Sequence, residues 1–208
     1  MEPHIKLTNT QSPLTGAEYA TMQHILYREA ISSLMYAALG THPDISYAIS
    51  TISCFCSNPG TPHWEAVRRI YRYLIGTKDL CLTYRWMRKP LQGYTDADES
   101  MSEDQKAVSG YVFLIDGSAV SWASKKQEIV SLSTTESKYV AAMHATKEAP
   151  WLRSFIGEIL IPLDEPITLF SDNQSTITLA KDHQYHACTK HIDIQWLKKL
   201  SQCLHVFH

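Results

Sequence analysis

Two carboxylates in the second half of the chain stand where they could do chemistry together. Asp96 closes the run Tyr94-Thr95-Asp96, and Asp172 closes Leu169-Phe170-Ser171-Asp172. Each run reads as a short strand. If the two strands are neighbours, both side chains fall at one edge of a sheet. Clustered carboxylates are hard oxygen ligands that suit Mg²⁺. Two such ions side by side can activate water and stabilise a leaving oxygen in phosphodiester hydrolysis. Taken singly, each Asp has a plainer reading as a turn or helix-cap residue.

The elements that must position them can be read from the pattern. Leu91–Ala97 predicts a strand. Gly110–Ile115 and Ala119–Ala123 predict a hairpin around the turn Asp116-Gly117. A long helix is predicted from Thr134 to Leu160, with a kink or break at Pro150. Pro166–Ser171 predicts a buried strand, and Gln174–Lys181 and Ile192–Cys203 predict helices. The order β-β-β-α-β-α suggests a mixed sheet with helices packed on it, an α/β fold.

The first half reads differently. Residues 1–25 are polar, with Pro3 and Pro13, and are expected to be a tail or linker. Apolar residues at helical spacing predict helices over Tyr27–Leu39, over Ile45–Phe55 and from His63 to Gly76, where Gly76 would cap. Leu80–Tyr84 predicts a short strand. Arg85–Leu91, with three cationic side chains and Pro90, marks the expected boundary. That gives a polar tail (1–25), a helical segment (26–88) and an α/β domain (89–208).

Composition limits the remaining options. The 208 residues carry a net charge of −2, so any nucleic-acid surface must be local. Five cysteines, no basic-then-apolar leader and no apolar run long enough for a membrane predict reduced thiols and an intracellular protein, cytoplasmic or nuclear.

A set of strings then identifies the class. Tyr94-Thr95-Asp96-Ala97-Asp98, Ser109-Gly110-Tyr111-Val112-Phe113, Val120-Ser121-Trp122-Ala123-Ser124-Lys125-Lys126-Gln127 and Leu132-Ser133-Thr134-Thr135-Glu136 occur in order. So do Lys147-Glu148-Ala149-Pro150-Trp151-Leu152-Arg153, Ser171-Asp172-Asn173-Gln174-Ser175 and Thr189-Lys190-His191-Ile192-Asp193-Ile194. This stretch, about 93–196, resembles the ribonuclease H domain of copia-type retrotransposon Pol polyproteins. Tyr27-Arg28, Leu34-Met35-Tyr36, Pro43-Asp44-Ile45, His63-Trp64 and Tyr73-Leu74-Ile75-Gly76-Thr77-Lys78 resemble the reverse-transcriptase thumb or connection before it. The resemblance implies a ribonuclease-H-like mixed sheet with packed helices, preceded by that helical segment. It implies RNA–DNA hybrids as substrate and Mg²⁺ as cofactor. No adjacent Asp-Asp pair occurs in the chain, so no polymerase activity is expected.

Against that family the carboxylate set looks incomplete. The family uses Asp, Glu, Asp and a late Asp. Asp96 and Asp172 match the first and third. The family string Thr-Glu-Ala-Glu-Tyr reads Thr135-Glu136-Ser137-Lys138-Tyr139 here, so Lys138 stands at the ligand position. Glu136 lies two residues away, about 200° around the helix, and would substitute only if the helix start shifted. Its plainer reading is a first-turn Glu near a Thr cap. Asp193 is the late candidate, although the last strand and helix of the sheet are expected to be missing. Lys138 could pair with Asp96 and Asp172 and take a cation's place, keeping the fold while removing catalysis.

Other positions have two readings each. Lys125 and Lys126 could touch a phosphate backbone or line a solvated loop. Asn173 and Gln174 could contact nucleic acid or simply start a helix. Arg68, Arg69 and Arg72 could track a duplex or be a solvated face. His183, His186, Cys188 and His191 are dense, but their spacing is not a usual zinc pattern. Cys54 and Cys56 read as core packing.

Overall fold

The computed structural model describes residues 7–85, 89–99, 104–159, 166–181 and 204–207. The chain divides into two compact units, Met1–Leu82 and Thr83–His208. The division falls just upstream of the expected Arg85–Leu91 boundary.

The first unit is helical: α1 (Gly16–Gln23), α2 (Tyr27–Gly40), α3 (Ser46–Ser53) and α4 (Thr61–Gly76), with 3-10 turns at Asn9–Gln11 and Pro43–Ile45. The helical spacing read in the sequence buries Tyr27, Ile31, Leu34 and Ala38 of α2, Ile49 and Ile52 of α3, and Val67 and Ile70 of α4 in one core. Gly76 is the last helical residue and Thr77 caps α4.

Two expectations are corrected here. The stretch 7–23 is folded rather than a tail. Leu7 is buried in the same core. Thr15 and Glu18 form a reciprocal capping box at the start of α1. Gly60 lets the backbone of Gln11 approach so closely that a Cβ there would lie 2.0 Å from the Gln11 carbonyl oxygen. Polar composition hid these few anchors. Leu80–Tyr84, conversely, forms no strand. Thr83 and Tyr84 belong to the second unit, where they accept from Ser118 Oγ and donate to the Ala119 carbonyl.

Among its described residues, the second unit has a five-stranded mixed sheet with helices. It contains β1 (Gln92–Asp98), β2 (Val108–Ile115), β3 (Ser118–Lys126), α5 (Thr134–Ile159), β4 (Ile167–Phe170), α6 (Gln174–Lys181) and β5 (Leu204–Phe207). The strand order is β3-β2-β1-β4-β5. β1, β2 and β3 are antiparallel neighbours, while β4 runs parallel to β1 and β5 parallel to β4. Asp116 (φ 50°) and Gly117 (φ 85°) both take positive φ, as a two-residue hairpin turn requires. The expected loss of the last strand is corrected: residues 204–207 pair with β4. The predicted helix Ile192–Cys203 lies outside the described residues.

The core of this unit lies between the sheet and α5. Tyr139, Ala142, Met143, Ala145, Ala149, Leu152 and Ile156 recur along the helix at core-facing spacing, against Phe113, Leu169 and Ile177. α5 continues through Pro150 as one helix, so of the two expected outcomes, a kink or a break, the break does not occur. Its flanking residues Ala149 and Leu152 are buried, and that packing outweighs the backbone bond proline forfeits. Among the described residues no helix is long and apolar enough to cross a membrane.

Candidate carboxylate site

The parallel register of β1 and β4 pairs Gln92 with Thr168, Gly93 with Leu169 and Tyr94 with Phe170. Asp96 lies two residues past the last paired position on β1 and Asp172 two residues past that on β4, and both reach the same Lys138 ammonium. The same register stacks Tyr94 on Phe170, with ring centroids 5.0 Å apart. Adjacent strands lie about 4.8 Å apart, so two carboxylates at these positions crowd each other. The juxtaposition conjectured from the sequence is therefore present at the C-terminal ends of two neighbouring strands.

Lys138, in the first turns of α5, reaches both carboxylates. Its ammonium donates to Asp96 Oδ1 at 2.8 Å and to Asp172 Oδ1 and Oδ2 at 2.6 and 2.7 Å. Three donors meet three oxygens. The Lys138 side chain is 15% exposed, whereas Asp96 and Asp172 are 68% and 64% exposed. The stem is enclosed and the carboxylates face solvent. Burial pulls the Lys138 pKa down, but the hydrogen bonds and charges of Asp172 and Asp96 outweigh it and leave a net upward shift. The ammonium is therefore held charged. Exposed ion pairs contribute little each, about 0–1 kcal/mol, and more when several share one geometry.

This arrangement does not fit a divalent ion. The point equidistant from the three oxygens is filled by Nζ, and Mg²⁺ would demand oxygens at about 2.0–2.1 Å from that same point. Among the described residues no group of three or more His, Cys, Asp or Glu side chains is placed to hold a metal.

Glu136 is engaged elsewhere. Its Oε2 accepts the Leu132 backbone N–H at 2.7 Å, and its own N–H donates to Ser133 Oγ at 3.2 Å. This is the capping arrangement of α5, with Ser133 in the role expected of a Thr. The geometry does not bring Glu136 to Asp96 and Asp172. Asp193 lies outside the described residues, as do His183, His186, Cys188 and His191.

Lys125, Lys126 and Asn173, considered for nucleic-acid contact, have intramolecular side-chain partners. Lys125 and Lys126 end β3 itself instead of following it. They pair with Glu128 at 3.4 Å and Asp104 at 2.8 Å. Asn173 Oδ1 caps α6 by accepting the Thr176 N–H at 2.9 Å, while Gln174 is exposed at the start of that helix. On the first unit, Arg68 and Arg72 both pair with Glu65. Cys54 is exposed and only Cys56 packs against the core.

Sequence reasoning missed the polar scaffold beneath Lys138. Gln127 is buried; its Nε2 donates to Ser109 Oγ and to the Ser137 carbonyl, both at 2.9 Å, and its Oε1 accepts from Ser131 Oγ. Ser137 Oγ in turn donates to Glu99 and to the Thr134 carbonyl. Thr176 Oγ1 donates to the Thr135 carbonyl at 3.2 Å, tying α6 to the same turn. The clue was a Gln next to two Lys at a strand end, which charge reasoning passes over.

No protein-family profile matches the chain. It is 44% identical, over 95% of its length, to the retrovirus-related Pol polyprotein from transposon TNT 1-94 of Nicotiana tabacum, of which it spans 15%. It is 34% identical, over 82% of its length, to the Pol polyprotein from transposon RE1 of Arabidopsis thaliana, of which it spans 12%. The secreted RxLR effector protein 161 of Plasmopara viticola is 41% identical over 63% of this chain and 94% of that protein. Among solved structures, the foamy viral protease-reverse transcriptase in complex with RNA/DNA hybrid aligns with a TM-score of 0.52 at 17% identity, over 93% of this chain and 27% of that one. At that identity the likeness speaks for the fold alone. With the sequence strings, the strand order and these relatives in agreement, the chain belongs to the copia-type retrotransposon Pol polyproteins and carries their ribonuclease-H-like fold.

Proposed function

We propose that the Thr83–His208 unit is a ribonuclease-H-derived domain that binds RNA–DNA hybrid without cleaving it. One observation carries this reading: the Lys138 ammonium sits at 2.6–2.8 Å from oxygens of both Asp96 and Asp172. By ancestry the domain would hydrolyse the RNA strand with two Mg²⁺ ions. Here the residues present do not offer those ions a seat, and no hydrolytic step runs through the site. The hybrid as ligand is supported by membership in the Pol polyproteins and by the foamy viral likeness, whose solved complex contains such a hybrid. Lys125, Lys126, Asn173 and Gln174 are the candidate contacts, through phosphate and sugar. Family membership also supports an intracellular location, which imaging of the tagged chain would test.

The test is a direct assay of the purified chain. Labelled hybrid with Mg²⁺ should be retarded in a gel, more weakly as salt rises, and should remain intact. Cleavage by the unmodified chain that is lost in Asp96→Asn would overturn the reading. Failure to retard hybrid at low salt would remove its binding half.

A further inference from the structure

The geometry points to Lys138 as a resident cation, which joins Asp96 and Asp172 in place of a divalent ion and makes this edge of the sheet independent of metal. The inference rests on the reading above, that this site does not hold catalytic metal, and adds a structural role for the ammonium.

Three features support it. The first is coordination. Nζ has three carboxylate oxygens at 2.6, 2.7 and 2.8 Å, one per N–H donor. Those distances exceed what Mg²⁺ accepts and approach the 2.3–2.6 Å typical of Ca²⁺, so an ammonium and an ion exclude each other at this point. The second is placement. Lys138 starts from a turn fixed on both sides: Gln127 and Glu99 hold Ser137, and Thr176 holds the Thr135 carbonyl. Its stem is enclosed while the carboxylates face solvent, so the charge is delivered from within the fold. The third is topology. Asp96 belongs to β1, Asp172 follows β4 and Lys138 belongs to α5, so one ammonium joins three elements whose order in the chain is β1, α5, β4. Without it, two carboxylates on adjacent strands face each other uncompensated, which is the arrangement that recruits a divalent ion.

The inference therefore predicts a reciprocal exchange: remove the ammonium, and the domain should respond to metal. Thermal melting of the full chain tests it, comparing the unmodified protein, Lys138→Met, and Lys138→Met combined with Asp96→Asn and Asp172→Asn. The unmodified chain should melt at the same temperature with EDTA or millimolar Ca²⁺ or Mg²⁺. Lys138→Met should melt lower by about 3 °C or more and recover as the ion is added, because a ligand that binds the folded state raises its stability. The triple variant should ignore the ion. If Lys138→Met does not fold, Lys138→Gln replaces it, and calorimetric titration of Lys138→Glu with Ca²⁺ gives an independent readout. A divalent-ion shift in the unmodified chain that disappears in Asp96→Ala would overturn the inference. So would a Lys138 variant that melts with the unmodified chain and ignores the ion. Hybrid retardation on the same preparations is scored separately. Loss of hybrid binding without an ion-dependent melting shift in the unmodified chain removes the functional reading and leaves the clamp, whereas such a shift in the unmodified chain, with hybrid bound and uncleaved, removes the clamp and leaves the functional reading.

Discussion

The Gln127 side-chain amide donates to the Ser137 backbone carbonyl at 2.9 Å, so the residue after β3 holds the turn of α5 directly before Lys138. The same amide donates to Ser109 Oγ on β2, and Gln127 is 2% exposed. Sheet, loop and helix start thus meet at one buried side chain, and a buried polar group that loses its partner pays the full cost of its desolvation.

Gln127→Ala should destabilise the second unit by about 1–3 kcal/mol, because it strips a donor from Ser109 and Ser137 and opens a cavity. Amide hydrogen exchange of the full chain checks it. Exchange should quicken in β2 and the first turns of α5 and stay unchanged in α2 to α4. Unaltered protection around Ser137 would refute the role assigned to Gln127.

Gly93 should tolerate no side chain. An added Cβ would lie 2.6 Å from Phe113 Cε1 and 2.8 Å from Leu169 Cδ1, and both residues are fully buried. Neither ring nor isobutyl group can step aside without moving the core between β1 and α5. Gly93→Ala should cost about 1–3 kcal/mol, the usual range for overpacking, and urea denaturation of the full chain would register it. Since Asp96 is three residues further along β1, the displaced strand should also loosen the Lys138 contacts. A variant as stable as the parent would show that the core gives way more easily than this packing suggests.

Much of this architecture could be read from the residues. α2, α4, β1 to β4 and α6 follow from apolar period and turn chemistry because each buries one face against a neighbour in its own unit. The meeting of Asp96 and Asp172 needed a further condition, that their strands be adjacent, and periodicity cannot supply it. Lys138 was legible only through resemblance; by pattern alone it is an ordinary helical lysine. Three features escaped. Leu7 and Met22 are isolated apolar anchors in a polar stretch. β5 is four residues long and its pairing is non-local. Pro150 is tolerated because α5 is held by core contacts on both sides of it, whereas a local rule ends the helix there.

His63 should make the first unit sensitive to mild acid. It is buried, stacks on Phe55 with centroids 4.1 Å apart, accepts the Gly60 N–H at Nδ1 (2.8 Å), and meets the Thr8 carbonyl through Nε2 (3.2 Å). The Nδ1 lone pair is thus in use, and a ring protonated there would lose the Gly60 bond. Burial lowers the His63 pKa from its usual 6.5, against the smaller upward pull of the Thr8 carbonyl. The sign follows from linkage. The unfolded chain takes up the proton first, so the stability contributed by the neutral ring is complete above about 6.5 and declines as pH falls through the lowered folded-state value. Urea midpoints of the full chain should therefore drop on going from neutral pH to about 5, and His63→Leu, though less stable at neutral pH, should show a shallower drop. His144, whose pKa is also lowered by burial and by Lys147 and Lys125, adds a background of the same sign in the second unit. The difference between parent and His63→Leu isolates the first-unit contribution. Parallel pH profiles for the two proteins would show that His63 does not titrate across this range.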